Sequence, residues 1–346
     1  MLALIACLQA QSQSDYYFEH LTEANGLSDN RVTCFFKDRA GYMWIGTQNG
    51  LNRYDGASFL VYNSGQDARR ISNPFITAIK QDRQDRLWVS SQNGLNLIDI
   101  ENDSAYVFLP GPYSGRHDKK YIPSNLIWDI FIDTLDRVWL AADGRDLCCY
   151  DPIKDEFSYF PWLDYVLKNK AHRKGMYNSI RKLYYKSANE IWLGTSAGLF
   201  SFNMSNGKFF MHPSNEADHF IALEQTAGKT YFLQSPSDYV QAIREKASPE
   251  RYSLRPSLKN DNPITLEKNE RIWFPAGKGL LEINAISGAT RLLQHEADNP
   301  LSLPAGNIYT VFRENNGPVW VGTDNGFGKF NPDVNAFAFH RIIDRK

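Results

Sequence analysis

One hairpin signature, written six times, constrains this chain more than any other feature. It first reads W-I-G-T-Q-N-G-L-N-R-Y-D from Trp44, two runs of strand-forming residues, 43–47 and 51–54, around Asn49-Gly50. That pair tolerates the positive φ of a tight turn, so the stretch is a predicted hairpin. It returns as W-V-S-S-Q-N-G-L-N-L-I-D at Trp88 and W-V-G-T-D-N-G-F-G-K-F-N at Trp320, with looser copies at Trp139, Trp192 and Trp273.

The spacing of the tryptophans chooses the kind of repeat. The gaps of 44, 51, 53 and 47 residues match the period of a four-stranded β-propeller blade. The remaining gap, from Trp192 to Trp273, is 81 residues and has room for one blade lacking its tryptophan, for which 228–243, with Tyr231-Phe232 in the tryptophan slot, is the expected hairpin. The predicted fold is therefore all-β, a seven-bladed β-propeller of four-stranded antiparallel blades. Each blade opens with an apolar strand, beginning at Val32, Ile76, Ile127, Ile180, Phe220 and Ile308; in five of these the first apolar residue precedes the tryptophan by twelve positions. In the sixth blade Ile264 precedes Trp273 by only nine. Aromatic outer strands follow at 59–62, 106–108, 157–160, 209–212, 252–254, 290–293 and 337–340.

Near-continuous apolar character in the first strands implies burial on both faces between neighbouring blades. The repeated tryptophans are read the same way, as rings wedged between blades, with Gly46, Gly194 and Gly322 allowing close approach beside them. An outer-strand-like segment also precedes the first blade, at 18–21. It is expected to pair in blade seven beside or in place of 337–341, which would join the first blade to the last and protect an open edge.

At 346 residues, two domains would be the ordinary prior, but a repeat array makes one toroid over 14–346 economical, after a leader at 1–13. The leader, M-L-A-L-I-A-C-L-Q-A-Q-S-Q, resembles the end of a secretory signal, with a plausible cut after Ala10; Leu4 to Cys7 resembles a lipobox. The expectation is an exported protein. Lys+Arg 38 against Asp+Glu 39 gives a net charge of -1, which provides no broad field for nucleic acid. Cys34, Cys148 and Cys149 read as buried small apolar residues, since adjacent cysteines on a strand face opposite ways.

With G-L-S-D-N-R-V at 26–32, D-R-A-G-Y-M-W-I-G-T at 38–47 and N-G-L-N-R-Y-D-G at 49–56, the chain resembles the two-component regulator propeller repeat family. The resemblance runs from about 18 to 340, strongest in the first blade. It implies a periplasmic sensor propeller of Bacteroidetes hybrid two-component systems that responds to glycan breakdown products. Such proteins typically carry two propellers, a small β-sandwich, a membrane span and a histidine kinase. No phospho-accepting His box or receiver Asp appears in this sequence, so signalling is expected to come from parts outside it.

A sugar site needs flat aromatic faces together with amide, guanidinium or carboxylate groups. The position after the first apolar residue of each inner strand reads Thr33, Thr77, Trp128, Arg181, Ile221 and Tyr309, varying where the rest of the strand does not. Trp128, Arg181 and Tyr309 are the leading ligand-binding candidates, against the plainer reading that Trp128 plugs the channel. Asn30, Asn125, Asn178 and Asn307, with Asn73, precede those strands; an Asn there more often bonds its own backbone in a turn. Insertions at 109–121 and 161–176 should overhang the mouth, which adds Tyr113, Arg116, Trp162 and Tyr165 as weaker candidates. The run 168–174 reads as a solvated basic face.

No catalytic residue, metal site or cofactor is expected. The seven histidines lack metal-ligand spacing, and turns such as 38–41 look calcium-like but lack the EF-hand pattern. The expectation is a non-catalytic, ligand-sensing propeller for an oligosaccharide, partnered by a second propeller, a histidine kinase or another copy of itself. The alternatives are a secreted propeller enzyme, a polysaccharide or streptogramin-type lyase with a His or carboxylate cluster in its mouth, and a protein-interaction scaffold.

Overall fold

The computed structural model describes residues 16–333 apart from the segments 66–68, 112–120, 123, 125, 144–145, 170–178, 213–218, 227–228, 236–238, 245–249, 254–264, 267–270, 285–288 and 315–316, with backbone alone over 219–266. The expected leader, with Ala10 and Cys7, and the expected outer strand at 337–341 lie outside these residues.

Strand-forming runs separated by tight turns pair with their sequence neighbours, giving seven four-stranded antiparallel sheets. Blade one is Val32–Lys37, Met43–Thr47, Gly50–Tyr54 and Phe59–Tyr62; blade five, without a tryptophan, is His219–Thr226, Lys229–Ser235, Tyr239–Arg244 and Glu250–Ser253. Each innermost strand touches the innermost strand of the next blade, and that of blade seven, Ile308–Arg313, touches that of blade one. The ring is closed. The joint is the segment Glu19–Leu21, which pairs antiparallel with Phe327–Phe330 as the outer strand of blade seven.

The signature turn sits one residue earlier than its sequence suggests. Thr47 pairs with Gly50, so the two-residue loop is Gln48-Asn49, and Gly50, at φ 138°, begins the next strand. The threonine sets this register: its Oγ1 donates to the Gly50 carbonyl at 2.9 Å and accepts from the Asn49 amide at 3.2 Å. Ser91, Thr195 and Thr323 donate to the matching carbonyls of Gly94, Gly198 and Gly326.

The core lies between blades. Trp44 packs with Ile76, Ile79, Leu87 and Val89 of blade two, Trp88 with Ile127, Ile130 and Val138 of blade three, and Trp320 with Val32, Phe35 and Tyr54 of blade one. Each buried indole removes on the order of 200 Å² from water, about 5 kcal/mol of transfer free energy. Gly322 makes room for this packing: a Cβ there would lie 2.6 Å from Thr310 Cγ2 and 2.7 Å from Val32 Cγ1.

A buried carboxylate six residues before the tryptophan holds the indole. Asp38, Asp82 and Asp133 each accept the indole N–H, at 2.7, 2.9 and 2.9 Å, and Glu314 does so for Trp320 at 2.8 Å. The Asp-x-x-Gly turn that looked calcium-like is therefore a tryptophan clamp: Asp38 also accepts the Tyr42 amide at 2.9 Å. Blade four has Lys186 at this position, its Nζ 4.8 Å from the Trp192 ring, and Trp192 is only half-buried.

At the edge of blade four, His212 lies against Trp192 with ring centroids 5.3 Å apart, and its Nε2 is buried without a hydrogen-bond partner. Burial lowers its pKa from 6.5; Glu190 opposes the shift and Lys186 adds to it. A depressed folded-state imidazole contributes stability that is complete above the unfolded pKa and lost as pH falls through the folded value. We expect the melting temperature to fall on acidification below about 6.5, and the difference between wild type and His212→Phe to shrink on the alkaline side. A constant difference at every pH would refute this.

Candidate functional site

In propeller topology the loops between blades and the turns joining the second and third strands share one rim. Backbone hydrogen bonds staple the two together here: Gln48 N to Arg31 O at 3.0 Å, Gln92 N to Phe75 O at 3.1 Å, Asp143 N to Leu126 O at 2.9 Å, Ser196 N to Ser179 O at 3.1 Å and Asp324 N to Asn307 O at 3.2 Å. In the first two blades the asparagine of N-G-L-N adds a second tie. Asn52 Oδ1 accepts the Ser28 amide at 2.9 Å, and Asn96 Oδ1 the Ser72 amide at 2.7 Å. The rim is thus a rigid frame.

Within that frame one residue is released from the ladder in each of six blades. Six inner strands have a register shift near their start, between the first and third residues in five and between the second and fourth in blade five, and the residue skipped is Thr33, Thr77, Trp128, Arg181, Ile221 or Tyr309. These are the positions whose variation stood out in the sequence. A β-bulge leaves its extra residue unpaired and re-aims its side chain. The flanking Val32, Ile76, Ile127, Ile180 and Ile308 are fully buried, whereas Thr33, Thr77, Trp128, Arg181 and Tyr309 are half-buried.

The bulges bring two pairs together. Arg181 Cζ sits 4.0 Å from the centroid of Trp128, joining blades three and four. Arg31 Cζ sits 4.5 Å from the ring of Tyr309, joining blades one and seven. Trp128 Nε1 is buried without a hydrogen-bond partner. Arg31 was missed by the sequence reading; the same comparison of repeats one position earlier would have found it, since Arg31, Phe75, Leu126, Ser179 and Asn307 also differ in every blade.

The remaining candidates separate. Asn30 binds its own neighbourhood, its Oδ1 accepting the Glu23 amide at 2.9 Å, and Asn307 Nδ2 donates to Asp324 Oδ2 at 2.9 Å. Both flank the Tyr309–Arg31 pair, because the Gly326 amide donates to the Asn30 carbonyl at 2.6 Å. Asn73 Oδ1 accepts the Phe75 amide at 2.9 Å, a turn contact of the ordinary kind. Trp162 and Tyr165 lie on a short helix, Trp162–Lys168, that packs onto blade four. Trp162 is fully buried against Phe200, and Tyr165 meets Phe200 edge-on and Phe209 at a tilt. Trp162 thus has no face free for a ligand; hydrophobic packing has taken this part of the insertion. Asn125, Asn178, Tyr113 and Arg116 lie outside the described residues.

Three carboxylates near the bulges accept backbone amides. Asp29 Oδ1 accepts the Arg31 amide at 2.7 Å, Asp129 Oδ2 the Leu183 amide at 3.1 Å, and Asp324 Oδ1 the Asn307 amide at 2.9 Å. Next to Thr33, burial raises the Cys34 thiol to about 11, while its bond from Thr33 and the positive charges of Lys182 and Lys80 pull it back. His20 and His295 donate to the carbonyls of Ser302 and Leu303, at 2.7 and 2.9 Å, away from the bulge residues. Among the described residues no group of three or more His, Cys, Asp or Glu is placed to hold a metal.

A closed ring of seven four-stranded blades with bulged residues at its mouth defines a β-propeller. Residues 26–49 and 70–93 match the two component regulator propeller repeat. The match places that repeat in the first two blades of this chain. Histidine kinase P4 of Formosa agariphila is 39% identical over 70 residues, which span 20% of this chain and 5% of that one. The extracellular domain assigned to a hybrid two component system of B. thetaiotaomicron superposes with a TM-score of 0.72 at 18% identity, covering 91% of this chain and 42% of that one. That of a one component system from the same organism gives 0.70 at 21%, covering 91% and 40%. Virginiamycin B lyase from Staphylococcus aureus gives 0.66 at 12%, covering 91% and 99%. At these identities the structural likeness carries the fold alone. The chain spans less than half of the two extracellular domains and about a twentieth of the histidine kinase.

Proposed function

We propose that this propeller is the extracytoplasmic ligand-recognition part of a two-component-type sensor, and that it binds an oligosaccharide at its mouth without chemical change. The observation that carries the reading is the bulge: where the rest of the inner strand is repeated packing, the released residue is threonine in the first two blades and Trp128, Arg181 and Tyr309 in blades three, four and seven. An aromatic face beside planar polar groups suits the apolar face and the hydroxyls of a sugar ring. The sensor role is supported by the repeat family and by the extracellular sensor domains that share the fold. No helix of the described residues is long and apolar enough to cross a membrane.

Recognition would act on signalling through differential contacts. A ligand shifts an arrangement only by as much as its affinity differs between the two states. The arrangement would be that of this propeller against a second one, a kinase partner or another copy. The lyase fold shared with virginiamycin B lyase leaves an enzymatic reading as the second possibility. It requires a histidine or carboxylate cluster at the mouth, whereas Asp29, Asp129 and Asp324 are each tied to a backbone amide.

A thermal-shift screen against defined oligosaccharides tests the proposal, because a specific binder raises the melting temperature by mass action. Trp128→Ala should weaken binding of any hit by about tenfold or more, equivalent to about 1.4 kcal/mol. If no oligosaccharide shifts the melting temperature and Trp128→Ala is also silent, the reading fails.

A further inference from the structure

We propose that the outer position of blade seven is an exchangeable slot for which two segments of this chain compete, the closing strap at 18–21 and residues 337–340, and that the strap's occupancy sets the mouth where blades seven and one meet. The exchange stands apart from what the mouth binds; its bearing on recognition rests on the mouth being the ligand site. In blades two, three and four the outer strand returns seven residues after its partner in the third: Ile98 faces Ala105, Tyr150 faces Phe157 and Phe202 faces Phe209. Seven residues after Phe330 stands Phe337, in N-P-D-V-N-A-F, which parallels D-P-I-K-D-E-F at 151–157. The repeat therefore writes an outer strand for blade seven at 337–340, which lies outside the described residues.

The position is already filled. Glu19, His20 and Leu21 pair with Lys329, Gly328 and Phe327, and the Phe18 ring lies 4.5 Å from that of Phe330. The corresponding contacts of blades one and three, Phe59 on Tyr54 and Phe157 on Tyr150, are 4.6 and 4.8 Å. Phe18 thus takes the place that the repeat assigns to Phe337. Both segments offer a phenylalanine to one ring and a backbone edge to one strand, so only one can be seated at a time. The strap is the better occupant: Leu21 is buried with Val32 and Phe327 where the second segment offers His340, and Glu19 pairs with Lys329 at 3.0 Å where it offers Ala338.

The strap reaches the mouth through its own turn. Thr22 caps Glu23–Asn25, the Glu23 amide donates to Asn30 Oδ1 and the Asn30 amide to Glu23 Oε1, both at 2.9 Å, and Arg31, next in the chain, lies over Tyr309. Tyr309 belongs to the inner strand of the same blade whose outer slot the strap fills. Unseating the strap would release the turn that leads to Arg31, so the two occupants define two states of the mouth. A ligand with different affinities for them shifts the balance.

The test uses the full chain and needs no ligand. Phe18→Ala should lower the melting temperature by about 3 °C, because the second segment takes the slot, and Phe337→Ala should leave it unchanged. The double variant has no good occupant and should fall by more than twice the sum of the two. Lys329→Cys combined with Ala338→Cys sets thiols opposite each other only when 337–340 is seated. Under mild oxidation that disulfide, followed by peptide mass mapping, should form in the otherwise unaltered chain and about tenfold faster with Phe18→Ala added. Additive melting shifts, a disulfide that does not form, or a rate that Phe18→Ala leaves unchanged would each overturn the exchange. So would a Phe337→Ala loss equal to that of Phe18→Ala, since both segments would then be held at once. Hydrogen exchange at 30–32 should quicken in Phe18→Ala; protection equal to wild type there would overturn the link to the mouth while leaving the sugar reading to its own screen.

Discussion

Replacing Asp133 by alanine should lower the stability of the propeller by about 3–5 kcal/mol, the cost of stripping one partner from a buried charged pair. Asp133 Oδ1 accepts the amides of Leu135 and Arg137 at 2.9 and 3.0 Å, and Oδ2 accepts Arg137 Nε at 2.7 Å and the Trp139 indole at 2.9 Å. Alanine leaves all four donors without this acceptor. Arg137 lies over the Trp139 ring at 5.4 Å, in a turn whose Asp136 takes a positive φ of 57°, so the loss falls on strand, turn and blade interface together. Asp133→Asn keeps an oxygen but loses the charge, and should cost about 1–2 kcal/mol, near the value of an ordinary hydrogen bond. Urea unfolding followed by tryptophan fluorescence measures both. Blade four supports the argument: with Lys186 in place of the acid, its Trp192 is half-buried where Trp139 is fully buried. An Asp133→Ala midpoint within error of wild type would mean that the clamp is ornamental.

Gly326→Ala should open the ring, with a loss of about 3 kcal/mol from a left-handed backbone position combined with overpacking. Gly326 has φ 84°, and a Cβ built on it would lie 2.3 Å from the Leu21 carbonyl oxygen and 2.9 Å from Thr22 Cγ2. The obstacle is backbone, so relief requires moving the segment that closes the ring. Gly326 also donates to the Asn30 carbonyl at 2.6 Å, directly before blade one. The damage should concentrate at the closing seam. Hydrogen exchange should therefore quicken first at 19–21 and 327–330. Uniform exchange across all blades would count against the seam as the weak point. Gly41→Ala is the control, since at φ 99° it shares the backbone strain but meets nothing within 4 Å; it should cost less.

The interblade tryptophans, the seven-unit count and the order of strands were legible because each blade is a local pattern: its strands pair with their sequence neighbours, and one large ring recurs in register. The acid six positions before the indole was visible in the sequence but lacked meaning until the turn placed it under the ring. The bulge was visible only indirectly. Variation marked Trp128, Arg181 and Tyr309, but a register shift is a relation between two strands, and no single strand's composition reports it. Trp162 illustrates the opposite error. An aromatic residue in an insertion resembles a ligand platform until a helix carries it into the core, where burial of its surface outweighs exposure at the rim.

The amino-acid sequence alone determined that this chain is a ring of like blades and which side chains glue them, because short-range alternation and a fixed period dictate both. Only the tertiary structure decided which residues meet at the mouth. Arg31 and Tyr309 stand at opposite ends of the chain, and Trp128 and Arg181 belong to different blades; closure by Glu19–Leu21 and the bulges of the inner strands bring them together. Contacts across such sequence distances depend on how sheets stack around the channel, and that is set by the packing of the whole ring.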